Sequence, residues 1–584
     1  MKRTLLSILS LLLCLCMLLC ACSQEPTDDD TNKPQGPTTP SVTADPFLKT
    51  ENYVPTDVFT QMKTYFEGTE SGFSLYDNRE NLPFVSTDVF AISNCTVKSI
   101  TIPVFSTRTT DSNGDFTFTL YVLSNTWSSL RQELNAPEEP IEIKINAEEY
   151  DLGENQVVRK FIKVDLAEYN IKLSAFQTLG FAHENDTLLP AQVLTKGTVA
   201  DAGQKKHTPA KYMIDEWDVV GYYYYDHAID SETGSVKGFT YTDNSLFFDF
   251  ELERTYESES AYNAMVAAQA QADADYAAKL AAVKAAYGDK CFSLIGDSIS
   301  TFNGVTNNGQ IHPTLTKNAV HYTINTTVYH SSKTYWGKLS QDTGMDLCVI
   351  NAWSGGTAYG LKGGDDMLTR SYNLSTKSGT TPDIIFLYYG INDMNNSPSS
   401  INESNTGWRY SAEKTGDLAG DLYQRLTNTA DTRTQKQIVA EWFAQVQAYA
   451  ADRGYVQNDP TTVNMGAVKV VEETDIFITW EAAYALALQN MKTSYTDAEI
   501  FMLTLQPTNH SSGKEDRLDR ANLILRALAE YFEVDLIDQA NSEVTKDNCH
   551  TYARDAYGLH PNGKGHAALT KLLVEALYEK LPKN

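Results

Sequence analysis

The sequence predicts an α/β fold, a three-layer α/β/α sandwich on a parallel sheet, preceded by an antiparallel β-sandwich. Three observations lead there. From residue 290 onward, short apolar runs alternate with amphipathic helical stretches, the pattern of a parallel sheet covered on both faces. Between 47 and 256, segments rich in β-branched and aromatic residues follow one another without a long helical stripe. An alanine-rich stretch separates these two patterns. At 584 residues the chain exceeds one ordinary core, so several folded units are expected.

Taken in order, the first element is a leader. Lys2 and Arg3 precede an apolar run, Leu5 to Leu19, too short for a comfortable membrane span and shaped like a signal peptide. The run closes on Leu19-Cys20-Ala21-Cys22-Ser23, which resembles a bacterial lipobox. That resemblance implies lipidation of Cys22, with Cys20 the weaker candidate and an ordinary cleaved signal the alternative. Residues 1–22 are thus read as a lipoprotein signal peptide. The expected location is the bacterial cell surface, with membrane contact only through the N-terminal lipid. Residues 23–46 are rich in Pro, Thr and Asp and cannot bury enough apolar surface to offset their ordering entropy, so a disordered linker is expected.

Residues 47–256 read as the β-sandwich. After a helical stretch at 57–66, strands are predicted at 97–105, 116–122, 157–164, 219–225 and 245–252. Tyr222 to Tyr225 offer either an aromatic platform for sugar rings or an ordinary strand with tyrosines on both faces. Residues 257–288 combine strong helix propensity with apolar positions at 262, 265, 266, 276, 280 and 283, and predict a connecting helix closed by Gly288. Residues 289–584 form the α/β unit, with strands expected at 291–295, 347–350, 384–389, 499–504 and 534–537. Its helices are expected near 333–343, 434–453, 477–494, 515–531 and 564–580. Residues 397–476 read as a long insertion containing Trp408 and Trp442, with Trp408 either the rim of a substrate cleft or a buried anchor for the insertion.

The formal net charge of −28 argues against a nucleic-acid partner. Four of the eight cysteines belong to the leader; Cys95, Cys291, Cys348 and Cys549 are scattered and form no Cys/His ligand cluster. Neither a metal nor an organic cofactor is signalled. Cys291 and Cys348 lie in apolar strand-like runs and read as small buried hydrophobes.

In an open parallel sheet the ligand site lies at the carboxyl ends of the strands. After the first predicted strand comes Gly296-Asp297-Ser298-Ile299-Ser300, after the second Asn351-Ala352-Trp353-Ser354-Gly355-Gly356, and after the third Gly390-Ile391-Asn392-Asp393. Leu559-His560-Pro561-Asn562 leads into the final helix. A hydroxyl nucleophile, an imidazole base and neutral oxyanion donors are the parts that acyl transfer needs. Asp297 and Asp393 read as loop-stabilising acceptors, and His550 and His566 as structural or solvent-facing residues.

GDS, GxND and HPN in this order resemble the SGNH, or GDSL-type, hydrolases over roughly 290–582, and GDSISTFNG, KTYWGKL and NAWSGG are similar to a bacterial branch of that family. No GxSxG elbow surrounds the serine. The resemblance implies that Ser298 is the nucleophile and a backbone oxyanion donor. It implies further that Gly355 (or Gly356, in a register shifted by one) and Asn392 donate to the oxyanion, and that His560 is the base. The family's acid stands three residues before the histidine, where this chain has Tyr557. Asp555, five residues before His560, is the candidate acid, and a backbone carbonyl orienting the ring is the alternative.

These readings imply a serine esterase acting on carboxylic esters, with an acylated, most simply acetylated, polysaccharide as partner. A lipase or lysophospholipase and a non-catalytic glycan-binding surface protein are the alternatives. The sequence leaves the oligomeric state open.

Overall fold

The computed structural model describes the strands between Phe47 and Tyr256 with parts of their connections. It then describes residues 249–302, 331–352, 367–376, 378–395, 421–452, 454–462, 480–508, 515–546, 548–553 and 559–582.

Among the described residues, the N-terminal strands assemble into two antiparallel sheets, of seven and eight strands. Cys95–Ser106 is the hub of one, pairing with Val158–Asp165 and Asp249–Tyr256; Phe116–Ser128 is the hub of the other, pairing with Gln177–His183 and Ile141–Ile145. Inward-facing residues of both hubs, Ile100 and Ile102 from the first with Val97 across a one-residue bulge, and Leu120 and Val122 from the second, meet in one hydrophobic cluster. This is the two-sheet core that period-two alternation predicts. Tyr222–Tyr225 is a strand of the second sheet.

Helix α1, Glu259–Tyr287, follows directly. Ser258 caps its start by accepting the Ala261 N–H, and the N–H of Gly288 closes its end on the Lys284 carbonyl. The apolar positions seen in its sequence do not form one buried stripe: Val283 and Tyr287 are buried, whereas Met265 and Val266 are about half exposed. Alanine propensity carries the middle of this helix, and contacts fix its ends. Tyr262 meets the Tyr256 ring edge-on and the Phe47 ring at a tilt, with Lys49 over its own ring, and Lys279 pairs with Glu575 at 3.1 Å.

Among its described residues the second half has five parallel strands, β1 (Cys291–Gly296), β2 (Asp346–Ala352), β3 (Ile384–Tyr388), β4 (Glu499–Leu503) and β5 (Asp535–Ile537), in the order β2-β1-β3-β4-β5. Its longer helices are α2 (Tyr335–Thr343), α3 (Gln435–Asp452), α4 (Trp480–Ser494), α5 (Glu515–Phe532) and α6 (Gly563–Lys580). β1 and β3 are buried almost throughout, as strands covered on both faces must be, which explains their continuous apolar runs. Part of the expected insertion is therefore framework: Asp421–Thr427 and α3 are helices, and Trp442 of α3 is fully buried in the main core. Trp408 lies outside the described residues.

One expectation is corrected. Cys291 and Cys348 form a disulfide, with Cα atoms 5.7 Å apart. The β1–β2 register slips between Phe292 and Ser293, so that Phe292 faces Leu347 while Ser293 faces Val349, leaving Cys348 as the extra residue of a bulge. The pairing depends on which strands are neighbours, which the separation of 57 residues conceals. Cys95 and Cys549 are buried and unbridged.

Candidate active site

The strand order reverses between β2-β1 and β3, and the register brings their carboxyl ends level: Gly296 pairs with both Ala352 and Tyr388. Such a switch point opens a crevice beyond the strand ends. Ser298 follows β1 by two residues, and Asn392 follows β3 by four.

The chain past β1 turns at once into one 3-10 turn, Ser298–Ser300. Asp297 caps it by accepting the Ile299 N–H at 3.0 Å, and Thr301 closes it by donating its hydroxyl to the Ser298 carbonyl at 2.8 Å. Gly296 is required here, because a Cβ at this position would lie 2.2 Å from the Ser300 Oγ. Helix α2 grips the turn from outside. The Tyr335 and Ser300 hydroxyls share a 2.7 Å hydrogen bond, and the Trp336 indole N–H donates to the Ser300 carbonyl at 3.0 Å. These contacts give the KTYWGKL stretch a structural role.

Ser298 Oγ lies 2.9 Å from His560 Nε2. That is hydrogen-bond reach for a general base and its nucleophile. His560 is held from both sides. Before it, the Gln506 side-chain amide donates to the Leu559 carbonyl. After it, Pro561 bridges Ala553, and the Asn562 N–H donates to the Tyr552 carbonyl at 2.9 Å. The Asn562 side chain then caps α6 through the Gly565 N–H at 3.0 Å. Gly565 must be glycine, since a Cβ would come 2.1 Å from the Tyr552 carbonyl. The HPNGKG stretch is thus a helix entrance shaped to present His560.

Asp297 and Asp393 are both buried, and Asp297 serves as a loop acceptor. Asp297 accepts backbone N–H bonds from Ile299 and from Ile391, tying the nucleophile turn to the segment carrying Asn392. Burial nevertheless pushes its carboxyl up to about 7. Gly390, at φ +116°, makes the turn between β3 and that segment, a conformation that favours glycine. His566 is fully buried. Its Nδ1 accepts the Tyr335 N–H at 3.1 Å, its ring stacks on Tyr335, and burial and the nearby His560 hold its pKa down at about 3. It is a neutral structural histidine.

The structure brings together Ser298, His560 and the segment bearing Asn392. Gly355, Gly356, Asp555 and Cys22 lie outside the described residues, as does the side chain of His550. Sequence reasoning passed over Tyr388, Gln506 and Gln539, all buried beneath the histidine. The signal available for Gln506 was its place just past the fourth strand, where the strand-end rule directs attention. Among the described residues no group of His, Cys, Asp or Glu could hold a metal ion, and no helix is long and apolar enough to cross a membrane.

A serine hydroxyl on an imidazole at a parallel-sheet switch point defines a class, the serine hydrolases built on an open α/β sheet. Residues 290–435 match the family model of GDSL-like lipases/acylhydrolases, which supports an ester-hydrolysing domain of the SGNH, or GDSL-type, family there. No curated protein matches the chain. Solved structures similar to it include a GDSL-like lipase from Bacteroides ovatus (18% identity, 49% of this chain and 96% of that one, TM-score 0.26). Others are a GDSL-like lipase from Bacteroides thetaiotaomicron (12%, 50% and 89%, 0.23) and phospholipase A1 from Streptomyces albidoflavus (11%, 50% and 100%, 0.25).

Proposed function

We propose that this protein is a cell-surface esterase, anchored through lipid on Cys22, that removes acetyl groups from polysaccharide hydroxyls. The observation that carries the chemistry is the 2.9 Å contact between Ser298 Oγ and His560 Nε2. In this reading His560 takes the hydroxyl proton as Ser298 attacks the ester carbonyl. The side-chain amide of Asn392 and the backbone N–H groups of Ser298 and Gly355 receive the developing oxyanion, each donor contributing about 3 kcal/mol. As the acyl C–O bond breaks, His560 gives that proton to the leaving sugar oxygen, which departs as a hydroxyl. A water, deprotonated by the same imidazole, releases acetate from the acyl-serine. Asp555, or a backbone carbonyl, accepts the second ring N–H of His560 and holds the tautomer.

Three features support the cellular and substrate assignment. The leader has the pattern of a lipoprotein signal. The Cys291–Cys348 bridge suits an oxidising compartment. A β-sandwich joined to the catalytic half suits a protein that works on glycans, by analogy with carbohydrate-active enzymes.

The test is acetate release from acetylated xylan and other acetylated glycans by the wild type and by Ser298→Ala. Retention of the wild-type rate in that variant refutes the mechanism. A lipase would prefer p-nitrophenyl palmitate to the acetate ester, and a non-catalytic glycan binder would leave Ser298 unlabelled by a fluorophosphonate probe.

A further inference from the structure

Three buried polar side chains at the ends of three different strands form one hydrogen-bonded chain that finishes at the Leu559 carbonyl, in the peptide that leads into His560. Gln539, just past β5, is tied to β4 through its N–H on Thr504 Oγ1 at 2.8 Å and its side-chain amide on the Thr504 carbonyl. That amide also meets the Tyr388 hydroxyl at the end of β3. Tyr388 in turn donates to Gln506 Oε1 at 3.1 Å, and Gln506 Nε2 donates to the Leu559 carbonyl. The Gln506 amide orientation follows from chemistry. A carbonyl can only accept, so the amide nitrogen must face Leu559, which leaves the amide oxygen toward a hydroxyl able to donate. Tyr388, Gln506 and Gln539 are 1%, 6% and 2% exposed, so their polar groups are bonded within the protein rather than to bulk water.

We propose that Gln506 is a positioning residue for the reaction: with Tyr388 behind it, it fixes the Leu559–His560 peptide so that Nε2 stays on the Ser298 hydroxyl. This rests on His560 being the base. The Leu559 carbonyl is one peptide from the imidazole, and on the other flank the Ala553–Pro561 bridge and the Asn562 cap hold the chain. Gln506 is thus a side-chain restraint on the upstream flank of His560, set from the strand end of the sheet. Gln506 acts through backbone and does not touch the reacting atoms, so its removal should slow chemistry while leaving substrate affinity alone.

The experiment measures kcat and KM for p-nitrophenyl acetate, with the rate of fluorophosphonate labelling, in Gln506→Met, Gln506→Glu, Tyr388→Phe and the Tyr388→Phe/Gln506→Met pair. Both Gln506 variants keep the side-chain length; Gln506→Met removes the donor outright, and Gln506→Glu removes it once its carboxyl is ionised at high pH. The expected result is a kcat and labelling rate reduced roughly 10- to 100-fold with KM within about twofold, the size of effect that a small misplacement of a catalytic group produces. Tyr388→Phe should fall less, and should add nothing further in the Gln506→Met background. A Gln506→Met enzyme with wild-type kcat, or one whose KM alone rises, overturns the proposal. Should the Gln506 variants fail to fold, an unchanged kcat in Tyr388→Phe overturns it instead. Activity that survives Ser298→Ala overturns the esterase reading beneath it, whereas Ser298-dependent activity indifferent to Gln506 overturns the positioning role alone.

Discussion

Reducing the Cys291–Cys348 bridge should destabilise the catalytic half without slowing its chemistry. The bridge closes a loop spanning 57 residues of sequence. In the chain-entropy treatment, a loop of that length restricts the unfolded state by about 4 kcal/mol at 25 °C. For a domain of this size each kcal/mol moves the unfolding midpoint by roughly 2–4 °C, so a fall on the order of 10 °C is expected. Cys291 opens β1, whereas Ser298 lies beyond its far end. At a rise of about 3.3 Å per residue, roughly 15 Å of strand separates the bridge from the nucleophile turn. The assay is thermal unfolding of the wild type with and without reductant, and of the Cys291→Ala/Cys348→Ala variant, alongside kcat at 25 °C. Thiol titration of the denatured, unreduced protein should read two fewer thiols than the reduced protein. Midpoints that coincide within about 2 °C would refute the entropic argument. A full thiol count would refute the bridge, and a large loss of kcat at 25 °C in the folded variant would refute the claim that sheet end and site are independent.

Other expectations follow from the site and its supports. Asn392→Ala should lower kcat by roughly 10²–10³-fold with little change in KM, as removal of one oxyanion donor does; a simple rise in KM would remove Asn392 from that role. His566 has its pKa depressed to about 3 from the usual 6.5, so its contribution to stability is complete above pH 6.5 and is lost as the pH falls toward 3. The loss amounts to roughly 4–5 kcal/mol across that window. In His566→Asn, which keeps an acceptor for the Tyr335 N–H, the acid limb of a stability–pH curve should flatten; an unchanged limb would assign acid sensitivity elsewhere. Trp442→Ala should cost about 3–5 kcal/mol by denaturant unfolding, because the ring is fully buried on α3. A cost below about 1 kcal/mol would return that segment to the status of a loose insertion. Gly565→Ala should displace the α6 entrance and depress both stability and kcat, since its Cβ would collide with the Tyr552 carbonyl, and unchanged values for both would refute that packing.

The sequence by itself determined the two fold patterns, the strands and helices of the catalytic half to within a few residues, and the Ser298–His560 pair. The reason is physical. Buried parallel strands must be continuously apolar, helix entrances need Asn or Ser caps, and a nucleophile turn needs glycine beside it, so each leaves a local mark. The pairing of Cys291 with Cys348, the half-exposed face of α1 and the burial of Trp442 in the main core left none. Each depends on which elements become neighbours. The Tyr388, Gln506 and Gln539 chain was equally silent, because a tyrosine and two glutamines far apart in sequence acquire a role only when the β3-β4-β5 order places their strand ends side by side. Local chemistry named the groups that react, and the tertiary arrangement decided what holds them in place.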